Sequence, residues 1–160
     1  MTVFSSPHFA GHEQVCFFHD AGTGLRAIIA IHSTALGPAA GGCRMWDYMD
    51  DHAALDDVLR LSRGMSYKNA MADLAFGGGK AVIIGDSRRD KTPALMEAFG
   101  RAVDSLGGRY VTAEDVGITV ADMAAASRET RYISGLARSG QAAGGDPSPK
   151  TARGVFTGIR

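Results

Sequence analysis

The chain has 160 residues, of which 45% are hydrophobic and 21% charged, and its 17 Lys and Arg balance its 17 Asp and Glu. This is the composition of a globular domain, and a net charge of zero argues against a protein that binds nucleic acid or an anionic membrane through a general positive field. The longest apolar stretch, residues 27–31, is far shorter than the ~20 residues that span a bilayer.

The N-terminus lacks the basic start and apolar core of a secretory signal, so we expect a cytoplasmic protein. Its two cysteines, Cys16 and Cys43, form no CxxC pattern and are expected to be reduced thiols. His8 and His12 are four residues apart, but Gly11 lies between them and no HExxH motif occurs, so we expect no metal site.

The predicted elements begin with a hairpin. Residues 15–20 and 26–32 are apolar runs typical of buried strands, and the turn Ala21-Gly22-Thr23-Gly24 separates them. Within this region Gly22, Gly24 and Ala27 match a degenerate dinucleotide-binding spacing. That motif requires a helix after the turn, whereas the run that follows here is typical of a strand, so we interpret the region as a plain hairpin.

Strands and helices alternate in the rest of the chain, which indicates an α/β fold, and the hairpin predicts a mixed rather than a parallel sheet flanked by helices. Helices are predicted where apolar residues recur at helical spacing or where a capping residue stands at the start. The predicted elements are a helix at 51–65 capped by Asp50 or Asp51, a strand at 81–84, a helix that starts at Thr92-Pro93 and stops at Gly107-Gly108, a strand at 110–112, a helix at 119–128, a loop at 135–145 and a helix from Ser148.

Four segments contain more glycine and polar residues than a purely structural role in the fold would need. In the first, residues 37–45, adjacent glycines could bring backbone N–H groups close to a ligand, or could form a tight turn before a strand. In the second, residues 63–70, Lys68 could bind a ligand or could satisfy the last carbonyls of the preceding helix.

The third segment is Phe76-Gly77-Gly78-Gly79-Lys80. It is not a Walker A loop, because position 74 is Leu and position 81 is Ala. Lys80 could be held against a substrate or could be a solvated loop lysine. In the fourth segment, residues 112–117, Asp115 follows a strand, where ligands gather in open α/β sheets, although an Asx-turn into Gly117 would also explain it.

Taken together and in order, these motifs resemble one known family. They are Gly37-Pro38-Ala39-x-Gly41-Gly42-x-Arg44-Met45, Gly64-Met65-Ser66-Tyr67-Lys68-Asn69-Ala70, Gly77-Gly78-Gly79-Lys80-Ala81-Val82-Ile83-Ile84-Gly85-Asp86 and Thr112-Ala113-Glu114-Asp115-Val116-Gly117. From about residue 11 to residue 160 the chain is similar to the N-terminal, substrate-binding domain of the glutamate/leucine/phenylalanine/valine dehydrogenases, most of all the branch that acts on apolar amino acids. The resemblance implies oxidative deamination of an L-amino acid to the 2-oxo acid and ammonia with reduction of NAD.

The resemblance also implies roles for single residues. Lys80 corresponds to the catalytic lysine, and Asp115 to the acid and base that moves protons to and from the amino nitrogen. Lys68 corresponds to the residue that binds the substrate carboxylate, and Thr151 to a position that faces the nicotinamide. The other expected substrate-binding residues are Ala40, Gly41, Gly42, Met65 and Ala113.

Some positions depart from the family pattern. Ala40 stands where a larger apolar residue is usual, so we expect a roomier pocket that favours aromatic or long aliphatic side chains. Asp73 replaces a common glycine and puts the local turn in question. The remaining departures lie near the expected hinge, at Asp146, Lys150 and Arg153.

We expect residues 1–147 to form a substrate-binding and oligomerisation domain, and residues 148–160 to start a helix that links it to a dinucleotide-binding domain. No strand–GxGxxG–helix unit occurs in the sequence, and 160 residues are too few for both domains, so we expect these residues alone to be inactive. The alternative functions are a non-catalytic amino-acid-binding or assembly module, and a small lyase or hydrolase that uses Lys80 and Asp115 without NAD. We also expect a homo-oligomer, with the sheet edge at the hairpin as one contact.

Overall fold

The computed structural model describes residues 2–136 and 144–159, and its core is a five-stranded sheet in the order β1-β2-β4-β3-β5. The pairs β1–β2 and β2–β4 are antiparallel, whereas β3 is parallel to both β4 and β5. The predicted mixed α/β fold is therefore confirmed. After a 3-10 turn at Val3–Ser5 the elements are β1 Gln14–Asp20, β2 Leu25–Ser33, β3 Ala39–Trp46, α1 Asp51–Met71, β4 Gly77–Ile84, α2 Pro93–Asp104, β5 Tyr110–Glu114, α3 Val120–Ala126 and α4 Ser148–Ile159.

Helices cover the two faces of the sheet unequally. The helix α1 packs over β2 and β4, where Val58 and Leu59 are buried against Val82. The helices α2 and α3 bury a larger apolar cluster on the opposite face. On the face that carries α1, alternate residues of β3 remain half-exposed, Ala40 and Gly42 among them. An open strip of sheet therefore lies beside α1.

The capping residues of the helices are those that the sequence predicts. Asp50 accepts a hydrogen bond from the Ala53 N–H at 2.8 Å, and Thr92 accepts one from the Leu95 N–H at 3.1 Å. The helix α3 starts with the predicted capping box of Thr119 and Asp122. These contacts satisfy N–H groups that the first helical turn leaves without partners.

The ends of the helices were less predictable. The helix α1 continues to Met71, six residues beyond the predicted end at Met65, and α3 ends at Ala126 rather than Arg128. After α1 the chain turns at Asp73, which has a φ of 53°. Aspartate tolerates this left-handed conformation better than most residues, so Asp73 can make this turn.

The largest error in the sequence analysis concerns the glycine run, which is a strand rather than a loop that enters one. The strand β4 begins at Gly77 and not at residue 81. A Cβ on Gly78 would collide with Ser66 of α1, and a Cβ on Gly79 would lie 2.7 Å from the ring of Tyr110. The glycines are therefore there because neighbouring elements approach the strand closely on both faces.

Two further predictions concern loops. The first glycine-rich segment is mostly the strand β3, which begins at Ala39, so only residues 37–38 belong to the turn before it. Of the predicted loop at 135–145, residues 137–143 lie outside the described residues. The hairpin is confirmed, and β1 is an edge strand of the sheet.

Within residues 2–136 and 144–159, no helix is long and apolar enough to cross a membrane. The same residues contain no group of three His, Cys, Asp or Glu that could hold a metal ion. Cys16 and Cys43 are free thiols. His12 is buried, and its Nε2 lies 3.0 Å from both the Leu59 carbonyl and the Ser62 hydroxyl of α1, so it attaches the N-terminal segment to that helix.

Candidate functional site

The centre of the open strip is an ion pair between Lys80 and Asp115. Lys80 lies in the middle of β4, and Asp115 follows the end of β5, so the strand β3 lies between them. The Lys80 ammonium nonetheless donates a hydrogen bond of 2.5 Å to Asp115 Oδ2. The Lys80 side chain is only 7% exposed and that of Asp115 is 26% exposed. Lys80 is therefore not a solvated loop lysine.

Gly42 is the residue over which this ion pair crosses β3. Ala40 is level with Gly78 and Cys43 with Ala81, which places Gly42 level with Lys80, and on its other side Gly42 pairs with Ala113. A Cβ at Gly42 would lie 2.9 Å from the Asp115 Cβ and 2.6 Å from the Glu114 carbonyl oxygen. The missing side chain thus makes room for the contact.

Asp115 is held in its ionised form. Its partial burial works in the opposite direction, but the hydrogen bond and positive charge of Lys80, a backbone N–H of Val116 and the charge of Arg44 outweigh it, so the pKa of Asp115 lies below its usual value. At neutral pH the site therefore contains a carboxylate that can accept a proton.

A second contact to Asp115 comes from Arg44 on β3. Its Nε lies 3.3 Å from Asp115 Oδ2, and its Nη1 donates to Asp57 Oδ2 on α1 at 2.9 Å. Asp57 also accepts a hydrogen bond from the Tyr48 hydroxyl at 2.8 Å and one from Arg60 at 2.7 Å. A chain of alternating charges thus runs from β4 across the sheet to α1.

The loop that carries Asp115 is fixed at its base. The Ile118 N–H donates to the Asp115 carbonyl at 2.9 Å, so the turn after β5 is made by the backbone. The ammonium of Lys91 donates to the Gly117 carbonyl and to Asp122, both at 2.7 Å. These contacts leave the Asp115 side chain to point at Lys80.

The other predicted substrate-binding residues surround the same strip. Met65 of α1 lies over Gly41, with its Cγ 3.2 Å from where a Cβ would stand. Ala40 and Ala113 are half-exposed, on β3 and β5 respectively. Small and apolar side chains therefore lie beside the ion pair.

Lys68 lies in the last turn of α1 and is exposed. Within the described residues its ammonium has no hydrogen-bond or ion-pair partner, and no contact joins it to Lys80 or Asp115. The next residue, Asn69, donates to the Gly77 carbonyl at 2.6 Å and so attaches this turn to the start of β4. Lys68 is thus an available cation at a fixed end of α1.

Thr151 lies on the other side of Asp115. It is on α4, and it lines a cleft of about 860 Å³ whose other walls include Asp115, Val116 and the start of α3. Such a volume lies within the range of ~300–1,000 Å³ that small-molecule sites occupy. The predicted cofactor-facing residue and the predicted proton-transfer residue therefore face one cleft.

Sequence reasoning missed the part of the site that lies behind Asp115. Arg44 belongs to a motif that the sequence analysis quotes, but a lone arginine after two glycines carries no sign of its partner. Asp57 and Tyr48 give no signal at all, because only the strand order and the position of α1 bring them to Arg44.

Known proteins resemble this chain in sequence and in fold. A family model described as Glu/Leu/Phe/Val dehydrogenase, dimerisation domain, matches residues 12–132. Among characterised proteins, the chain is 54% identical over its whole length to leucine dehydrogenase of Geobacillus stearothermophilus and covers 43% of that protein. It is 59% identical over 159 residues to valine dehydrogenase of Streptomyces virginiae and covers 44% of it.

The chain therefore spans about two fifths of the length of the curated relatives that it matches. Among solved structures, the L-tryptophan dehydrogenase of Nostoc punctiforme superimposes with a TM-score of 0.77 at 50% identity, over 93% of this chain and 41% of that one. A glutamate dehydrogenase of Thermus thermophilus, at a TM-score of 0.67 and 20% identity over 78% of this chain and 34% of its own, shares the fold.

Proposed function

The chain belongs to the Glu/Leu/Phe/Val dehydrogenase family, and from that premise we propose that it is the substrate-binding part of an NAD-dependent dehydrogenase of apolar L-amino acids. The observation that carries this proposal is the pairing of Lys80 with Asp115 across Gly42, in an open strip of sheet. A buried lysine and an ionised carboxylate at one point supply a charge stabiliser and a base.

The substrate binds along this strip. Lys68 pairs with its carboxylate, since the ammonium of Lys68 is exposed and has no partner within the described residues. The backbone of Gly41 and Gly42 approaches the substrate closely because no side chain intervenes. The apolar side chain of the substrate contacts Ala40, Met65 and Ala113. This set of contacts holds the amino group towards Asp115.

Lys80 and Asp115 then carry the proton transfers. Asp115 accepts a proton from the substrate ammonium and releases it to solvent, to which its side chain is 26% exposed. Bound NAD would supply the acceptor for the hydride on Cα, whose loss leaves an iminium group on the substrate. Asp115, ionised again, accepts a proton from the water that adds to the iminium carbon and then gives that proton to the nitrogen. As ammonia leaves, Asp115 accepts the proton of the new hydroxyl group, and Lys80 donates a hydrogen bond that stabilises the charge developing on that oxygen. The Lys80 ammonium donates to Asp115 Oδ2. Any movement of Lys80 away from this oxygen towards the substrate therefore raises the proton affinity of Asp115.

The cleft between Asp115 and α4 is where we place the nicotinamide. It is lined by Thr151 and adjoins the carboxylate, and its volume of about 860 Å³ is sufficient for such a ring. The rest of the dinucleotide would be bound by residues outside this sequence, which lacks a glycine-rich nucleotide fingerprint. Thr151 would contact the ring, and the other residues named would act on the amino acid.

Further parts of the proposal concern organisation. We assign residues 1–147 to the substrate-binding and oligomerisation domain and residues 148–160 to the start of a linking helix, which is consistent with α4 having no buried residue in 148–159. We propose a homo-oligomer, since β1 presents an unpaired edge. We propose a cytoplasmic location, for which the two free thiols are the supporting observation.

The test uses this chain joined to the remainder of the valine dehydrogenase to which it is 59% identical. We expect NADH to form with L-leucine, L-valine or L-phenylalanine, and Lys80→Met or Asp115→Asn to lower kcat by at least ~100-fold. Arg26→Gln is the matched control, because Arg26 likewise pairs from a strand with an aspartate, but in an exposed pair. Full activity of either site variant would contradict the assignment.

The same joined protein distinguishes the proposed enzyme from the alternative, a non-catalytic binding module. If it binds the amino acid, as followed by calorimetry, but forms no NADH, the non-catalytic binding module is supported instead. Lys68→Met should weaken that binding in either case, since it removes the cation for the carboxylate.

A further inference from the structure

Arg44 has no part in the proposed chemistry, although it is the second cation that touches Asp115. Its guanidinium is shared between two carboxylates, with Nε on Asp115 at 3.3 Å and Nη1 on Asp57 at 2.9 Å. The side chain is 24% exposed, and that of Asp57 only 13%. A planar guanidinium held at two corners cannot rotate freely, so its position on Asp115 is determined by Asp57.

Asp57 is itself held from two directions. The Tyr48 hydroxyl donates to its Oδ2 at 2.8 Å, and Arg60 Nη2 donates to its Oδ1 at 2.7 Å. Arg60 is 58% exposed and contributes little, whereas Tyr48 is half-buried. The anchor of Arg44 is therefore built into α1 and the chain after β3, and not into the loop that carries Asp115.

We propose that Arg44, anchored by Asp57 and Tyr48, is a positioning residue that fixes the orientation and protonation state of Asp115 for proton transfer. This inference rests on the proposed function for its effect on turnover. Its structural part, the control of the Asp115 carboxylate by Arg44, does not depend on that function.

The physical reason lies in the loop that carries Asp115. Lys80 and the Val116 N–H hold the Asp115 carboxylate from β4 and from its own loop, so without Arg44 no described residue restrains it from β3. A donor from β3 on the oxygen that Lys80 also bonds restricts the rotation of the carboxylate and keeps it in line with the strip. A base displaced by about 1 Å loses on the order of 100-fold in rate, so this restriction matters for turnover.

The charged groups around Asp115 come from several elements. Lys80 faces it from β4 and Arg44 from β3, and Asp57 and Tyr48 stand behind Arg44. The neighbouring Glu114 interacts with Asp146, which precedes α4, and is not among the groups that bond Asp115. Among the residues that the structure describes, removal of Arg44 therefore leaves Lys80 as the cation on this carboxylate.

The first experiment is a titration of the Asp115 carboxyl carbon by NMR in this chain. In Arg44→Gln we expect the pKa of Asp115 to rise, because one of the two cations that touch its carboxylate is lost. In Arg44→Lys the charge remains, and the rise should be smaller. Arg26→Gln should leave the titration unchanged. An unchanged titration in Arg44→Gln would overturn the proposal. If Arg44→Gln does not fold, the turnover of Arg44→Lys in the second experiment decides, and an unchanged kcat there would overturn the proposal.

The second experiment measures turnover in the chain joined to the valine dehydrogenase remainder. We expect Arg44→Gln and Arg44→Lys to lower kcat by roughly 10–100-fold with KM for the amino acid changed less than about twofold, because orientation and not binding is lost. The acidic limb of the kcat profile should move to higher pH in Arg44→Gln, and less in Arg44→Lys. A rise in KM as large as the fall in kcat, or an unchanged pH profile of kcat in Arg44→Gln, would indicate a merely structural role and overturn the proposal.

Asp57 is tested by a double-mutant cycle. If Asp57 acts through Arg44, Asp57→Asn combined with Arg44→Gln should be no slower than Arg44→Gln alone. Fully additive losses would refute the anchoring role. A shifted Asp115 titration in a joined protein that makes no NADH would leave the control by Arg44 standing and refute the proposed function instead.

Discussion

Gly42→Ala is the change that tests the geometry of the site most sharply. A methyl group at this position would lie 2.6 Å from the Glu114 carbonyl oxygen and 2.9 Å from the Asp115 Cβ. Both distances are shorter than two such atoms tolerate, and one partner is backbone, which cannot rotate away. Gly42 has no positive φ, so the substitution adds a steric conflict and no backbone strain.

The conflict can be relieved only if β5 and the loop after it move away from β3. Overpacking of this kind costs about 1–3 kcal/mol in the free energy of unfolding. For a chain of this length that corresponds to a fall of roughly 2–12 °C in Tm. The same movement carries Asp115 away from Lys80, so we expect the Asp115 pKa to rise towards its usual value.

Gly64→Ala is the matched control, since Gly64 lies inside α1 with nothing within 4 Å of its added Cβ. It should raise stability by about 0.5–1 kcal/mol through helix propensity. Thermal denaturation followed by circular dichroism gives both values, and carboxyl NMR gives the Asp115 titration. If Gly42→Ala is as stable as the parent chain and its Asp115 titrates as before, the crossing of the ion pair over Gly42 is wrong.

Three further changes test other parts of the account. Lys80→Met should destabilise the chain at neutral pH. Because the pKa of Asp115 is lowered in the fold, the difference in unfolding free energy between parent and variant should shrink as the pH falls below the usual aspartate range and Asp115 becomes protonated. Equal differences at pH 7 and pH 3 in urea denaturation would contradict the pairing. Lys91→Met should lower the free energy of unfolding by about 1–3 kcal/mol, because it removes two half-buried charged hydrogen bonds. Arg89→Gln, in an exposed pair, should lower it by less than about 0.5 kcal/mol in the same urea assay. The reverse order would be inconsistent with the burial of the two lysine contacts. In the joined protein, Ala40→Leu should reduce kcat/KM for phenylalanine relative to valine by about 10-fold, because it fills the space beside the strip; an unchanged ratio would mean that Ala40 does not line the pocket.

The alternation of strands and helices, the hairpin and the helix caps could be predicted from the sequence, because each depends on residues a few positions apart. Asp50, Thr92 and Thr119 each cap a helix as their positions indicate. The glycine run before Lys80 was misassigned because its reason is tertiary. Ser66 and Tyr110, far along the chain, approach β4 where those glycines stand.

The resemblance predicted the residues of the candidate site, but it did not predict how the fold brings them together. The strand order places β3 between Lys80 and Asp115, and nothing in the local sequence of either residue indicates that they meet. The same holds for Arg44 and Asp57, which belong to a strand and a helix brought together only by packing on the sheet.

The central claim is that this chain orients an amino acid for hydride loss, and deuterium transfer tests it most directly. The chain joined to the valine dehydrogenase remainder is supplied with NAD and L-leucine that carries deuterium on Cα, and the cofactor is analysed by mass spectrometry. The account predicts one deuterium in NADH for each 2-oxo acid formed, with neither product formed in the Lys80→Met variant. Formation of the 2-oxo acid with deuterium lost to water, or formation that persists without NAD, would contradict it and favour a lyase.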